Sequence, residues 1–216
     1  MNALAETRFP MTVRLAASAL AAVLTMSGCG VSGVSKTPSR IEIQEEVGFV
    51  ITEEARIGNT VRADYEEGVR LLQQGQGAEG IELLAKAAEE APQLSAPRID
   101  LGIAYRHAGD LEAAEQQLQM ALQINPEHPV VHNELGIVYR KAGRFAEARK
   151  SYEAALAIYP GFHFASRNLA ILCDLYLADM ECALAQYQAY AETAPDDEEV
   201  AMWLADIRNR MNRQVE

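Results

Sequence analysis

Four histidines and three cysteines are the side chains of this 216-residue chain best suited to metal or nucleophilic chemistry. Their spacing decides whether they do any. His128 and His132 stand four apart, the separation that stacks two imidazoles on one helix face, but Pro129 lies between them and has no amide hydrogen to give a helix interior. A shared face is therefore not expected, and His107 and His163 offer no HExxH pattern. No glycine-rich phosphate loop follows a strand pattern, and no serine or cysteine stands in a nucleophile context. The sequence predicts no catalytic residue, no metal site and no cofactor. With a net charge of -12 and a pI near 4.8, the chain repels phosphate backbones, so nucleic acid is set aside as a partner.

The elements that position side chains are legible from a repeat. Pro92, Pro126 and Pro160 lie 34 residues apart, and Pro195 follows after 35. Gly68, Gly102 and Gly136 keep the same period, as do Gly75, Gly109 and Gly143. Three independent markers on one period divide the chain into units 61–94, 95–128, 129–162 and 163–197. Each reads as two antiparallel helices. In the third, Leu135, Gly136 and Tyr139 belong to a first helix, Gly143 to the turn, and Ala148, Tyr152, Ala155 and Leu156 to one apolar face of a second helix that Pro160 stops. Gly136, Ala148 and Ala155 are small where the helices approach, and Tyr139 and Tyr152 fill the space beside them.

These residues resemble the tetratricopeptide repeat (TPR) consensus. Leu135-Gly136, Tyr139, Gly143, Ala148, Tyr152, Ala155 and Pro160 match it almost place for place, and Leu101-Gly102, Tyr105, Gly109, Ala114, Leu118, Ala121 and Pro126 nearly as well. The first repeat departs with Glu67 and Leu71 in the leucine and tyrosine places and Gly80 for alanine. The fourth departs with Cys173 in the tyrosine place and Tyr190 for alanine, a change expected to push its helices apart locally. The resemblance implies an all-α solenoid of four helix-turn-helix repeats over residues 61–195. Such a stack exposes an apolar end, and residues 196–213 read as its capping helix: Asp196 or Asp197 at the N-cap, Glu198 and Glu199 in the first turn, and a stripe of Val200, Trp203, Leu204, Ile207 and Met211.

The resemblance further implies that first helices line a concave groove through the second, fifth, ninth, twelfth and thirteenth places of each repeat. Here these are Ala96, Ile99, Ile103, Arg106 and His107, then Val130, Asn133, Ile137, Arg140 and Lys141, then Phe164, Arg167, Ile171, Asp174 and Leu175. Arg106, Arg140, Lys141 and Arg167 outnumber the single Asp174, so the groove is expected to attract a protein or peptide partner through an acidic segment or a C-terminal carboxylate. Ile137 and Phe164 would anchor apolar groups, and Asn133 is the first choice to hold a guest backbone. The alternative is that Arg106, Arg140 and Lys141 merely sit near helix C-termini, where the macrodipole favours cations.

Residues 1–28 read as a signal peptide: Arg8 and Arg14 precede an apolar run from Leu15 to Thr25 that is too short to cross a bilayer. Met11 is an alternative start. Met26-Ser27-Gly28-Cys29 resembles the bacterial lipobox, which implies lipidation of Cys29, a palmitate-bearing lipoprotein, and, with Gly30 rather than aspartate following, an outer-membrane location facing the periplasm. An ordinary secretory signal is the alternative. Within residues 29–60, Gly30–Arg40 reads as a flexible tether, and Val47–Thr52 as a strand, an arm or disordered chain. In an oxidising periplasm Cys173 and Cys182, flanking the turn of the fourth repeat, suggest a disulfide, with two buried reduced cysteines as the alternative. Asn168–Cys173, Trp203–Asp206 and Gly48–Glu53 are similar to periplasmic TPR proteins associated with TonB energy-transduction systems. The sequence thus predicts a non-catalytic periplasmic interaction scaffold, with a pilotin-like lipoprotein of type IV pilus assembly as the alternative.

Overall fold

The computed structural model describes residues 40–44, 48–52, 57–195 and 197–215. Two compact units divide the chain, up to Arg56 and from Ile57 onward. In the first, β1 (Arg40–Gln44) pairs antiparallel with β2 (Gly48–Thr52), with Ile41 opposite Ile51 and Ile43 opposite Phe49. Of the readings open for residues 47–52, the strand holds from Gly48, and it has a partner that the tether reading missed at Arg40.

The second unit is a run of helical hairpins. The helices are α1 (Asn59–Gln73), α2 (Gly77–Glu90), α3 (Ala96–Ala108), α4 (Leu111–Ile124), α5 (Pro129–Lys141), α6 (Phe145–Ile158), α7 (His163–Leu175), α8 (Met180–Thr193) and α9 (Glu198–Val215). Odd and even helices up to α8 pair as hairpins, and each hairpin packs on the next. First helices of neighbouring hairpins also touch (α1 with α3, α3 with α5, α5 with α7), whereas α2, α4, α6 and α8 do not touch one another. The first helices therefore form the inner wall of the stack.

Local chemistry explains the boundaries. Gly75, Gly109 and Gly143 all adopt positive φ, the left-handed geometry that closes the turn between paired helices. The fourth hairpin has one extra turn residue, and there Ala178 takes φ 53°. Asp110, Asp179 and Asp197 each accept a backbone amide in the first turn of the helix that follows, from Ala113, Cys182 and Glu199 respectively, all at 3.0 Å. Asp197 thus caps α9; Asp196 lies outside the described residues. Where paired helices cross, Gly136 leaves no room: a Cβ there would sit 2.4 Å from Tyr152 Cε1. Tyr152 itself is wholly buried.

The core continues from the third hairpin to the end of the chain, through Tyr152, Leu169, Ala170, Leu172, Tyr187, Val200 and Ile207. Tyr190 is buried in the alanine place, and its hydroxyl donates to Asp197 Oδ2 at 2.5 Å, tying α8 to the start of α9. Cys173 and Cys182 are joined by a disulfide, with Cα atoms 5.9 Å apart, so α7 and α8 are covalently bridged beside the longer turn. Away from the inner wall, ion pairs hold successive hairpins in register. Arg144 Nη1 donates to Glu115 Oε2 at 2.6 Å, and Arg149 Nη1 to Asp179 Oδ2 at 2.9 Å.

Candidate peptide-docking face

A second ladder runs along the inner wall. Tyr65 on α1 donates its hydroxyl to Asp100 on α3 at 2.7 Å. Asn168 on α7 donates to Asn133 Oδ1 on α5 at 2.9 Å. Arg167 on α7 lies over the ring of Trp203 on α9, 5.4 Å from its centroid. Each contact joins the fifth place of one repeat to the sixth place of the next, so α9 takes the position of a first helix in a further repeat. Trp203 is partly buried and also stacks near Tyr187, centroids 5.3 Å apart. It is both a capping anchor and a platform for Arg167.

The structure redistributes the predicted groove charges. Arg106 is only 8% exposed, and its Nε donates to Glu134 Oε2 at 2.9 Å. Its charge is spent inside the stack, and His107 Nε2 lies 3.2 Å from its Nη2. The sequence reading omitted Glu134 because it stands one place beyond the assumed groove positions, in the inter-repeat seam. Asn133 is 4% exposed and committed to Asn168, so it fits the ladder and not the expected grip on a guest backbone. Asp174, the one acid counted in the groove, bonds Arg210 of α9 and accepts from the Tyr187 hydroxyl at 3.4 Å. Ile99 and Ile171 are buried as core.

What remains accessible is a shorter strip. Ile137, Arg140, Phe164 and Arg167 are partly exposed, His107 and Lys141 are exposed, and Leu175 is 60% exposed with Tyr176 beside it. Arg140 and Arg167 each keep a buried Nε donor with no acceptor among the described residues. Arg140 instead faces the ring of Tyr176 at 5.8 Å. The Tyr152 hydroxyl lies near it, and burial pushes that phenol up to about 12 against the charge and hydrogen bond of Arg140.

Burial perturbs other groups as well, His128 and Asp100 among them. His128 is buried, and its Nδ1 accepts the Val131 amide at 3.4 Å, capping α5; burial lowers it to about 3, so the ring is neutral. His132 Nε2 lies 3.0 Å from the Pro126 carbonyl, so the two histidines serve separate backbone contacts. Burial raises Asp100 to about 6, partly opposed by the Tyr65 bond. Among the described residues, Cys173, Asp179 and Cys182 are the only cluster with ligand atoms close enough for a metal. There the two sulfurs are bonded to each other, and Asp179 is engaged by Arg149 and the Cys182 amide.

Sequence profiles of the tetratricopeptide repeat match residues 65–129 and 100–161. The stack is a tetratricopeptide-repeat solenoid. TPR structures share its architecture. MamA, from residue 41 to its end, of Desulfovibrio magneticus RS-1 aligns with TM-score 0.65 and 21% identity over 73% of this chain and 88% of that one. PilF of Pseudomonas aeruginosa aligns with TM-score 0.64 and 20% identity over 72% and 71%. The first TPR of Spaghetti (RPAP3), bound to the HSP90 peptide SRMEEVD, aligns with TM-score 0.54 and 21% identity over 56% and 96%. At these identities the likeness is one of fold. No curated protein matches the sequence. The Cys29 expectation lies outside the described residues.

Proposed function

We propose that this TPR chain is a non-catalytic scaffold that holds another polypeptide against its inner wall. The observation that carries this reading is the pair of wall cations, Arg140 and Arg167, each with a buried donor that nothing among the described residues satisfies. A charged donor left without an acceptor is costly, and an acidic segment or a C-terminal carboxylate supplies what both lack. Apolar groups at Ile137, Phe164 and Leu175 flank them and suit the side chains between a guest's acids.

The setting of this scaffold is the periplasmic face of an outer membrane, with a lipid on Cys29 as the only membrane attachment. The lipobox-like Met26–Cys29 supports that placement, and the disulfide between Cys173 and Cys182 fits an oxidising compartment. Within the envelope, a component of a TonB energy-transduction system is the role that the residue resemblance supports. A pilotin-like type IV pilus assembly lipoprotein is the second reading, and the stack shared with pilF supplies the architecture it needs.

Cross-linking in intact cells, followed by identification of the captured protein, tests the scaffold. Capture of a defined partner should be lost in the double variant Arg140→Glu, Arg167→Glu. Capture that survives both reversals would place the contact elsewhere and remove the docking role of the inner wall.

A further inference from the structure

The sheet of the first unit has two strands, β1 and β2. Each therefore keeps one edge of backbone amides and carbonyls without a ladder partner among the described residues. Cross-strand partners lie on the same side of a sheet, and neighbours along a strand alternate. The register of Ile41 with Ile51 and Ile43 with Phe49 thus places these apolar residues on one face, and Glu42 with Val50 on the other. A ribbon of two strands is marginal in water, and further strands that extend an apolar face are what stabilise it.

The two edges differ in charge. β1 carries Arg40 and Glu42, and charged residues are what keep an edge from pairing. β2 is Gly48-Phe49-Val50-Ile51-Thr52, with no charge and no proline, and its middle residues are aromatic or β-branched. It suits an added strand as uncharged and apolar as itself, and β2 of a second copy is such a strand. Antiparallel pairing of β2 with itself about Val50 sets Phe49 of each copy opposite Ile51 of the other. The same operation on β1 about Glu42 would set two carboxylates against each other. The pleat selects the register. A slip of one residue would turn the apolar faces of the two hairpins to opposite sides, and a slip of two would shorten the ladder. Centred on Val50, every residue of β2 is paired. The sheet then runs β1-β2-β2-β1, with Ile41, Ile43, Phe49 and Ile51 of both copies on one face.

We infer that β2 is a self-association edge, through which two copies of this chain join by antiparallel pairing of Gly48–Thr52 about Val50. The contact is two-fold and uses the one free edge of β2, so it closes as a dimer. It is independent of the docking role proposed for the inner wall, and either can fail without the other.

Cysteine variants of the full-length chain read the register in intact cells under mild oxidation. Val50→Cys should give a disulfide-linked dimer, because the two-fold sets that position against itself. Gly48→Cys and Thr52→Cys should each cross-link poorly alone and well when the two are co-expressed. Glu42→Cys, on the strand away from the contact, should stay at the level of the parent, which controls for Cys29, Cys173 and Cys182. Sedimentation equilibrium of the purified chain supplies a readout without added cysteines: the parent should dimerise, and Val50→Lys, which sets like charges against each other, should weaken the dimer at least tenfold. A parent chain that sediments as a monomer overturns the inference, as does a dimer that Val50→Lys leaves intact. Glu42→Cys cross-linking as well as Val50→Cys would overturn the choice of edge. Capture of a different protein by Val50→Cys, in place of a second copy, would give the edge to a partner's strand and overturn self-association.

Discussion

Two ionisable side chains with opposite pH behaviour, His128 buried and Asp100 partly buried, sit at the seams between repeats. His128 caps α5 as a neutral ring, held near 3 against an ordinary value of 6.5. Its contribution to stability is fully present above pH 6.5 and is lost as pH falls from there towards 3, because the unfolded chain takes up the proton first. The asparagine variant His128→Asn retains a capping oxygen and does not titrate. Its unfolding free energy, measured by urea denaturation from pH 7 to pH 4, should fall less than that of the parent chain. Asp100 works the other way. Its folded value near 6 exceeds the unfolded value near 4, so the carboxyl stabilises the fold below pH 4 and loses that advantage as pH rises through 6. Asp100→Asn keeps an acceptor for Tyr65 and should be more stable than the parent at pH 7, by up to about 3 kcal/mol at about 1.4 kcal/mol per pKa unit. The two should agree near pH 4. No gain at neutral pH would mean that Asp100 is well solvated.

At the scale of the elements, helix spacing and turn chemistry were readable because they depend on residues close in sequence. The 34-residue period of prolines and glycines located the hairpins, and Gly75, Gly109 and Gly143 take the left-handed turn their spacing implies. Gly136→Ala should destabilise by roughly 2 kcal/mol as the new methyl meets Tyr152, despite alanine's better helix propensity. A melting temperature equal to the parent's would show that Tyr152 can move aside. The bond between Cys173 and Cys182 closes a loop with sequence separation 9, worth roughly 2–3 kcal/mol on the chain-entropy account. Cys173→Ser with Cys182→Ser should lower the denaturation midpoint accordingly, as should reduction of the parent. What the sequence did not disclose at this scale was pairing between elements. The sixth-place residues Glu134 and Asn168 meet partners 28 and 35 residues away, and nothing in a single helix's pattern marks them as facing a neighbour. Arg40–Gln44 is too short a strand to declare itself without its partner.

For the whole molecule, the last helix decides where the stack ends. Trp203 takes the seam position of a further repeat and supports Arg167, yet it is only partly buried. Trp203→Ala should cost roughly 2 kcal/mol, below the ~3–5 expected for a fully buried tryptophan, and should lower the melting temperature by several degrees. The inner wall itself was legible as a surface because first helices follow one another at a constant period. Its charge was not, because Arg106 and Asp174 are cancelled by residues of neighbouring elements. The claim that organises the rest is that a guest chain lies along the first helices. Hydrogen–deuterium exchange of the chain with its captured partner tests it most directly. Slowed exchange should concentrate on α3, α5 and α7, greatest towards Arg140, and leave α4, α6 and α8 unchanged; protection confined to the second helices would contradict it.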